Sequence, residues 1–254
     1  MEVEAQAKLL LQEITAAREI QRSQIPKQFP WVPGFDLAGF SLSARHLGGD
    51  YFDALPASKG KVLLAMADVM GKGIPASLFT STLRPLLRTL LESTLDPAAL
   101  LTQLNRLLFQ ELDTSDVFIT AQLALIDPKR KRLTVANAGH CPLLFCNPVG
   151  ETNSVAADGM PLGIAANSTF KNTILPLDRI AGAALFSDGL TDARNLRGET
   201  FGRHRLDKWM QRSVLTGRSA SAICAELESE LQAFQVHAAR KDDQTVLLLA
   251  RQQE

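Results

Sequence analysis

Hydrophobic and polar positions follow two different periods along the chain, and the first long segment has a helical period. Residues 3–25 consist of good helix formers without glycine or proline, which predicts one helix ending at Pro26. Val3, Leu10 and Ala17 recur every seven residues, as in a short coiled coil. The segment either pairs with a second helix or packs on its own domain, and the sequence leaves both alternatives open.

Short apolar or alternating runs of the β type follow a proline-rich segment. Trp31 in that segment is expected to anchor it on the domain, because a large aromatic side chain contributes much buried area. Residues 127–132 suit a hairpin connection between two of the runs. The predicted strands are residues 35–40, 62–67, 117–126, 132–136, 183–186 and 245–250.

Amphipathic stretches separate these strands. Residues 74–94 are predicted to be helical, with Pro85 kinking or dividing the helix. Asp96 is expected to cap the next helix, which has Pro97 in its first turn. Residues 201–211 and 219–234 are also amphipathic. Strands before, between and after helices predict a layered α+β domain over residues 28–254, preceded by a helical element at 1–27.

The amino-acid composition of the chain argues against several classes of function. The chain has 254 residues, with 27 basic and 27 acidic side chains, so its net charge gives no reason to expect a nucleic-acid or anionic-membrane partner. Three cysteines without a spaced framework argue against a disulfide scaffold or a zinc site. No apolar run is long enough to span a membrane, and the amino terminus is unlike a signal peptide. We therefore expect a cytoplasmic protein.

Acidic residues fall where predicted strands end, next to glycine or to another acid. Carboxylates gathered from several segments repel one another unless a cation neutralises them, and hard oxygen ligands select Mg²⁺ or Mn²⁺. Each Asp–Gly pair taken singly is most often a simple turn. The acids in question are Asp50, Asp68, Asp188, Asp242 and Asp243.

These motifs, in this order, resemble the PPM (protein phosphatase 2C-like) superfamily and its stage II sporulation protein E branch. The resemblance covers the chain from about residue 16 onward, including the helix end AREIQRSQIP. It implies an αββα sandwich of two mainly antiparallel sheets flanked by helices, with an amino-terminal linker helix. The matching motifs are GGDYFD at 48–53, DVMGKG at 68–73, NAGHCPLL at 137–144, GMPLG at 159–163, SDGLTDA at 187–193 and DDQTVLL at 242–248.

The resemblance also implies a site with two Mn²⁺ or Mg²⁺ ions. In it, Asp68 bridges the two metals, and Asp50 lies on the side of the second metal and holds it directly or through water. Asp188 and Asp242 complete one metal site, and the backbone carbonyl of Val69 helps the other. Asp243, the second acid of its pair, is a weaker candidate for a metal ligand than Asp242.

Two further residues have alternative roles. Arg45 lies five residues before Asp50, where relatives of the eukaryotic type hold the substrate phosphate, and a plain surface arginine is the alternative. His140 is either a general acid or a residue that stabilises its turn, and the second role is favoured.

The activity implied by the resemblance is hydrolysis of phosphoserine or phosphothreonine on a partner protein. The partner expected in this branch is a phosphorylated anti-sigma-factor antagonist in a partner-switching pathway, and the first helix is a candidate for homodimerisation. A catalytically weak or inactive regulatory binding module on the same fold is the alternative. A diguanylate cyclase, suggested by Gly48-Gly49-Asp50, does not account for the motifs at 137, 187 and 242.

Overall fold

The protein is an αββα sandwich in a computed structural model that describes residues 2–236 and 238–252. Two five-stranded antiparallel sheets pack face to face, and helices cover their outer faces. The helices are α1 (Glu2–Gln24), α2 (Ile74–Ser93), α3 (Pro97–Thr114), α4 (Asp188–Thr191), α5 (Gly202–Ser213) and α6 (Ala220–Gln235). The strands are β1 (Phe35–Leu42), β2 (Asp50–Ala57), β3 (Lys61–Val69), β4 (Ile119–Asp127), β5 (Arg132–Ala138), β6 (Leu143–Cys146), β7 (Thr152–Val155), β8 (Thr173–Pro176), β9 (Gly182–Phe186) and β10 (Gln244–Arg251).

The two sheets have the strand orders β1-β10-β9-β6-β7 and β2-β3-β4-β5-β8. Helices α2 and α3 pack on the second sheet, and α5 and α6 pack on the first. The described residues thus confirm the predicted α+β class and the αββα layers.

Alternation along the strands divides the core into three layers. In β3, Leu63 and Ala65 face the helices, whereas Leu64 and Met66 face the opposite sheet. This follows from the two-residue period of a strand, which sends successive side chains to opposite faces. By the same period, Asp68 lies on the inter-sheet face at the end of β3. The space between the sheets is therefore apolar in its middle and acidic at one end.

Helix α1 differs from the others because much of its apolar surface is not covered. Leu9, Leu10 and Leu11 are 55–57% exposed, and Val3 is 79% exposed. The end of α1 does reach the domain, since Gln21 contacts the loop before β2. Packing on its own domain therefore accounts for the last turns of α1 and leaves its first turns available.

Some sequence-based expectations need correction. Trp31 does not anchor its segment: its side chain is 78% exposed, and its neighbours Val32 and Phe35 are buried instead. Pro85 lies within α2 without dividing that helix. Asp96 caps α3 as predicted, because its carboxylate accepts a hydrogen bond from the amide of Ala99.

The sequence patterns also missed four strands, β2, β6, β7 and β8. In β2 the charged residues Asp50 and Asp53 break the apolar pattern of the sequence, while β6, β7 and β8 have four residues each. Strands of that length carry too little periodicity to be recognised.

Candidate functional site

A row of polar residues crosses the second sheet at the acidic end of the inter-sheet space. Asp50 at the start of β2 pairs in register with Asp68 of β3. Asp68 pairs in turn with Thr120 of β4, whose hydroxyl lies 2.8 Å from Nδ1 of His140. Because all three strands end or begin here, the row lies at the rim of the sandwich, where loops can reach it.

The carboxyl group of Asp50 is buried and incompletely paired. Its Oδ2 atom has no hydrogen-bond partner among the described residues. Burial and the nearby Asp68 raise the pKa of Asp50 well above its usual value, while the hydroxyls of Ser187 and Thr245 partly oppose that rise. Ser187 follows β9 and Thr245 lies in β10, and both strands belong to the other sheet. The side chain of Asp50 therefore points into the space between the two sheets. An unpartnered buried carboxylate oxygen is costly unless a cation or a proton satisfies it.

Asp68 lies at the centre of the negative charge. Burial raises the pKa of its carboxyl group to about 7, and the carboxylates of Asp188, Asp242 and Asp243 add to the rise. Asp188 begins α4 directly after β9, and Asp242 and Asp243 directly precede β10. These segments are far apart in sequence, and the antiparallel pairing of β9 with β10 brings them together.

The pKa of Asp188 is also raised, by burial first and then by the neighbouring Asp242. Lys72 opposes this repulsion because its ammonium group lies 2.6 Å from a carboxylate oxygen of Asp242. Lys72 lowers the pKa values of Asp68 and Asp188. Lys72 belongs to the motif that begins with Asp68, but no sequence pattern distinguishes it as part of the site.

Asp243 has a different environment from its neighbour. Its two carboxylate oxygens accept hydrogen bonds from the backbone amides of Ala44 and Gly49, each at 2.6 Å. A Cβ atom on Gly48 would lie 2.7 Å from Oδ2 of Asp243, so only glycine fits at that position without a shift. Asp243 thus holds the loop that carries Asp50 in place.

Gln21 of α1 holds the same loop from the other side. Its amide group donates to the carbonyl of Gly48 at 2.8 Å and accepts from the amide of Gly48 at 3.0 Å. The same amide nitrogen lies 3.3 Å from the hydroxyl of Thr80 in α2. A side chain that satisfies both backbone groups of one residue fixes that residue's orientation. Gln21 lies in the segment AREIQRSQIP, and no sequence pattern predicts this contact.

Close backbone approaches complete the frame of the site. A Cβ atom on Gly189 would lie 2.0 Å from the carbonyl oxygen of Asp243. One on Gly49 would lie 3.0 Å from the carbonyl oxygen of Val69. The glycines beside Asp50 and Asp188 therefore allow four segments to meet closely, and they bring the Val69 carbonyl next to the Asp50 loop.

His140 is buried at the inner end of the polar row. Burial lowers the pKa of its ring to about 4 despite the nearby carbonyl of Phe186, so the ring is neutral at pH 7. Its Nε2 atom makes no hydrogen bond among the described residues. The turn itself is held by Asn137. Its side-chain nitrogen donates a hydrogen bond to the carbonyl of His140, and its side-chain oxygen accepts one from the amide of His140. The turn is thus stabilised mainly by Asn137, and the ring of His140 bonds Thr120.

Arg45 and Asp53 lie outside the carboxylate cluster. Arg45 is exposed, and a Cβ atom on Gly73 would lie 3.9 Å from its side chain, so it borders the loop that follows Asp68. Asp53 faces the helices and forms a 2.8 Å ion pair with Arg84 of α2. Asp53 therefore stabilises the packing of α2 on β2 and does not orient Asp50.

The residues fit divalent cations by their chemistry. Mutually repelling carboxylates, an unpaired buried oxygen on Asp50 and a carbonyl at Val69 form the oxygen-rich set that Mg²⁺ and Mn²⁺ prefer. Across residues 2–236 and 238–252, no three His, Cys, Asp or Glu side chains converge closely enough to ligate one ion. The side chains are thus neighbours that would have to turn toward a shared ion.

The environment of Cys141 favours the protonated thiol, which is a poor nucleophile. Burial and the surrounding carboxylates raise the pKa of Cys141 to about 12, so its thiol stays protonated at neutral pH. Cys141 is the cysteine that borders the acids Asp50, Asp68 and Asp188.

Comparison with known proteins identifies the family. The profile of the family "Stage II sporulation protein E (SpoIIE)" matches residues 58–252. The chain belongs to the SpoIIE family. Its curated relatives include phosphoserine phosphatase RsbU of Bacillus subtilis, 31% identical over 243 residues, which are 94% of this chain and 70% of that protein. The chain spans 45% and 35% of two further curated relatives.

Solved structures show the same fold. The SiaA-PP2C domain of Pseudomonas aeruginosa superposes with a TM-score of 0.82 at 22% identity, over 98% of this chain and 99% of that domain. RsbX, solved in complex with magnesium, superposes with a TM-score of 0.63 at 18% identity, over 87% of this chain and 98% of that chain. The SpoIIE-family chain described here therefore has the PP2C-like architecture that its motifs implied. None of its described helices is long and apolar enough to cross a membrane.

Proposed function

We propose that this chain is a metal-dependent protein phosphatase that hydrolyses phosphoserine or phosphothreonine on a partner protein. The observation that carries the proposal is the charge cluster around Asp68. Burial and the carboxylates of Asp188, Asp242 and Asp243, which come from two other segments, raise its pKa to about 7, an arrangement that destabilises the protein unless a cation is bound. The relationship to RsbU, a protein named a phosphoserine phosphatase, supports the same reaction class.

Four carboxylates and one carbonyl would hold two Mn²⁺ or Mg²⁺ ions, and Asp243 would keep the loop of Asp50 in place. Bound ions of this kind supply Lewis acidity that makes water nucleophilic at neutral pH and neutralises phosphoryl oxygens. The assignment of Asp243 as a ligand stays a prediction, because both of its oxygens already accept backbone hydrogen bonds. The proposed ligands are Asp50, Asp68, Asp188, Asp242 and the carbonyl oxygen of Val69.

Arg45, at the rim of the site, would bind the phosphate group of the substrate. Arg45 lies beside the loop after Asp68, where a guanidinium could bind phosphoryl oxygens in a bidentate manner. No side-chain nucleophile is needed, which agrees with the protonated thiol of Cys141.

The test is phosphate release from a phosphoserine protein by the full chain in Mn²⁺, in Mg²⁺ and in EDTA. We expect turnover with the divalent ions and none in EDTA, with recovery when Mn²⁺ is restored. A phosphotyrosine peptide serves as the substrate control. Equal phosphate release in EDTA would contradict the proposal, as would full activity of Asp68→Asn.

The substrate that we propose is a phosphorylated anti-sigma-factor antagonist, as the resemblance to the SpoIIE branch implies. The chain would then act in the cytoplasm, in agreement with its free cysteines at 141, 146 and 224. Dephosphorylation rates across phosphorylated antagonist proteins of the same source would identify the partner. Equal rates on antagonists and on unrelated phosphoproteins would argue against this substrate.

We also propose that the first turns of α1 mediate homodimerisation. Val3 and Leu10 lie one heptad apart, and both are more than half exposed. A second copy of α1 would cover them, since apolar heptads of this kind associate in pairs. The mass of the wild-type chain in light scattering should exceed that of Leu10→Glu, whereas a monomeric wild type would contradict the proposal.

A further inference from the structure

A cleft of about 150 Å³ lies between the last turns of α1 and the edge of the sandwich. Arg18 and Arg22 line it from α1, and Arg240 lines it from the segment before β10. Ser41 and Ser43 contribute at the end of β1. The walls thus come from both α1 and the domain, and their polar groups are mainly donors.

The charge in the cleft is unbalanced. Asp50 is the carboxylate that lines it, set against three guanidinium groups. Neither Arg18 nor Arg22 forms an ion pair with any other residue that the structure describes. Like charges held together around a concave surface favour an anion.

Arg240 is fixed in position, unlike the two exposed arginines of α1. Its Nε donates to the side-chain oxygen of Gln244 at 3.1 Å, and its Nη1 donates to the carbonyl of Ser43 at 3.2 Å. A guanidinium has five N–H donors, so others remain free for a ligand. A guanidinium held in this way binds an oxyanion at a smaller entropic cost than a mobile one.

The size of the cleft suits a small ligand. Its volume of about 150 Å³ leaves room for a phosphate group, a phosphorylated side chain or a carboxylate side chain.

We propose that this cleft binds a single oxyanion group, a phosphate or a carboxylate, and that the bound group joins α1 to the phosphatase domain. Asp50, a proposed metal ligand, lies at the inner end of this cleft, but binding of the oxyanion by the arginines needs neither a divalent cation nor turnover. Occupancy would add contacts between α1 and the domain beside Gln21, which already connects α1 to the Asp50 loop.

The test uses inorganic phosphate as the probe and the full chain in EDTA, so that phosphate on a divalent ion does not contribute. Calorimetric titration should show phosphate binding that weakens by about tenfold or more in Arg18→Gln/Arg22→Gln. The control, Lys8→Gln/Lys27→Gln, removes the same charge from exposed positions outside the cleft and should bind like the wild type. Melting temperatures without phosphate verify that both variants fold.

Three results would overturn the proposal: no phosphate binding by the wild type, unchanged binding by the arginine variant, or equal weakening in both variants. These results leave the proposed phosphatase activity untouched, since the titration contains no divalent ion. Conversely, an inactive enzyme could still bind phosphate in the cleft.

Kinetics with Mn²⁺ distinguish two sources of the oxyanion. If the group belongs to the protein substrate, Arg18→Gln/Arg22→Gln should raise KM for the phosphoprotein and leave KM for p-nitrophenyl phosphate unchanged. If free phosphate is the ligand, both KM values should stay the same while the titration shows weaker binding.

Discussion

Asp50 and Asp68 face each other as register partners on β2 and β3, at the acidic end of the space between the two sheets. Burial raises the pKa of both carboxyl groups, and the charge of Asp68 raises the pKa of Asp50 further, while Lys72 opposes only part of the rise at Asp68. This repulsion lowers the stability of the metal-free chain, and a cation bound by the proposed ligands would relieve it.

Replacement of Asp68 by asparagine should therefore stabilise the metal-free protein. The pKa of Asp68 rises from 3.8 to about 7 on folding, so the folded chain binds a proton that the unfolded chain releases. Proton binding by Asp68 therefore makes its full contribution to folding stability below about pH 4, and this contribution is lost as the pH rises through about 7. In EDTA we expect Asp68→Asn to exceed the wild type by about 3–4 kcal/mol at about pH 8, and by about 1–2 kcal/mol at about pH 5.

Thermal unfolding in EDTA at the two pH values measures this difference. Asp113→Asn, at an exposed position on α3, is the matched control and should change neither melting temperature. The same Asp68→Asn variant should lose turnover in Mn²⁺ by about a hundredfold or more. A stability gain that is equal at both pH values would contradict the pKa argument.

The sequence predicted the order of layers and the cluster of acids, and it did not predict the supports around them. Asp68 and Asp188 were recognisable because each follows an apolar run and precedes a glycine-containing turn. The role of Asp243 was not, since its carboxylate bonds amides about 195–200 residues earlier in the chain. Such contacts depend on which strands become neighbours, and local patterning carries no information about that.

Polar residues inside strands show the same limit. Asp53 is buried in β2, where a charge would ordinarily argue against a strand, but Arg84 of α2 pairs with it. The sequence alone does not show that Arg84 pairs with Asp53, and β2 was therefore not recognised as a strand. Trp31 shows the opposite case, because its large apolar side chain was expected to be buried and is exposed to solvent.

Loss of the Gln21 side chain should weaken the support of the Asp50 loop. Gln21→Ala removes two hydrogen bonds to the backbone of Gly48, each worth about 0.5–1.5 kcal/mol. We expect a lower melting temperature and a higher Mn²⁺ concentration for half-maximal activity. Gln12→Ala, exposed on the same helix, is the control and should behave like the wild type. An unchanged Mn²⁺ requirement would show that the contact does not support the site.

Addition of one methyl group at Gly189, which follows β9 of the first sheet, should disrupt the carboxylate cluster. A Cβ there would lie 2.0 Å from the carbonyl oxygen of Asp243, so the β9–α4 turn and the start of β10 would have to separate. We expect Gly189→Ala to lose about 2 kcal/mol or more of folding stability and most of its activity. Denaturant unfolding and initial rates measure both effects.

Gly198→Ala is the control for the glycine substitution. No atom lies within 4 Å of its added Cβ, and its positive φ of 80° imposes a backbone cost alone. That cost is about 1 kcal/mol, and activity should be retained. If Gly189→Ala were no more damaging than Gly198→Ala, close packing at the Asp243 carbonyl would not matter for the site.

Removal of the Arg45 guanidinium tests whether it binds the substrate phosphate. Its side chain is exposed beside Gly73, so Arg45→Ala should leave folding stability within about 0.5 kcal/mol of the wild type. A lost charge-assisted contact to phosphate costs about 1.5–3 kcal/mol, which corresponds to a fall in kcat/KM of about tenfold or more. Arg45→Lys should recover only part of it, because an ammonium cannot bind two oxygens in a fork. Arg106→Ala, exposed on α3, is the control for charge loss, and a kcat/KM for Arg45→Ala equal to that of this control would make Arg45 an ordinary surface residue.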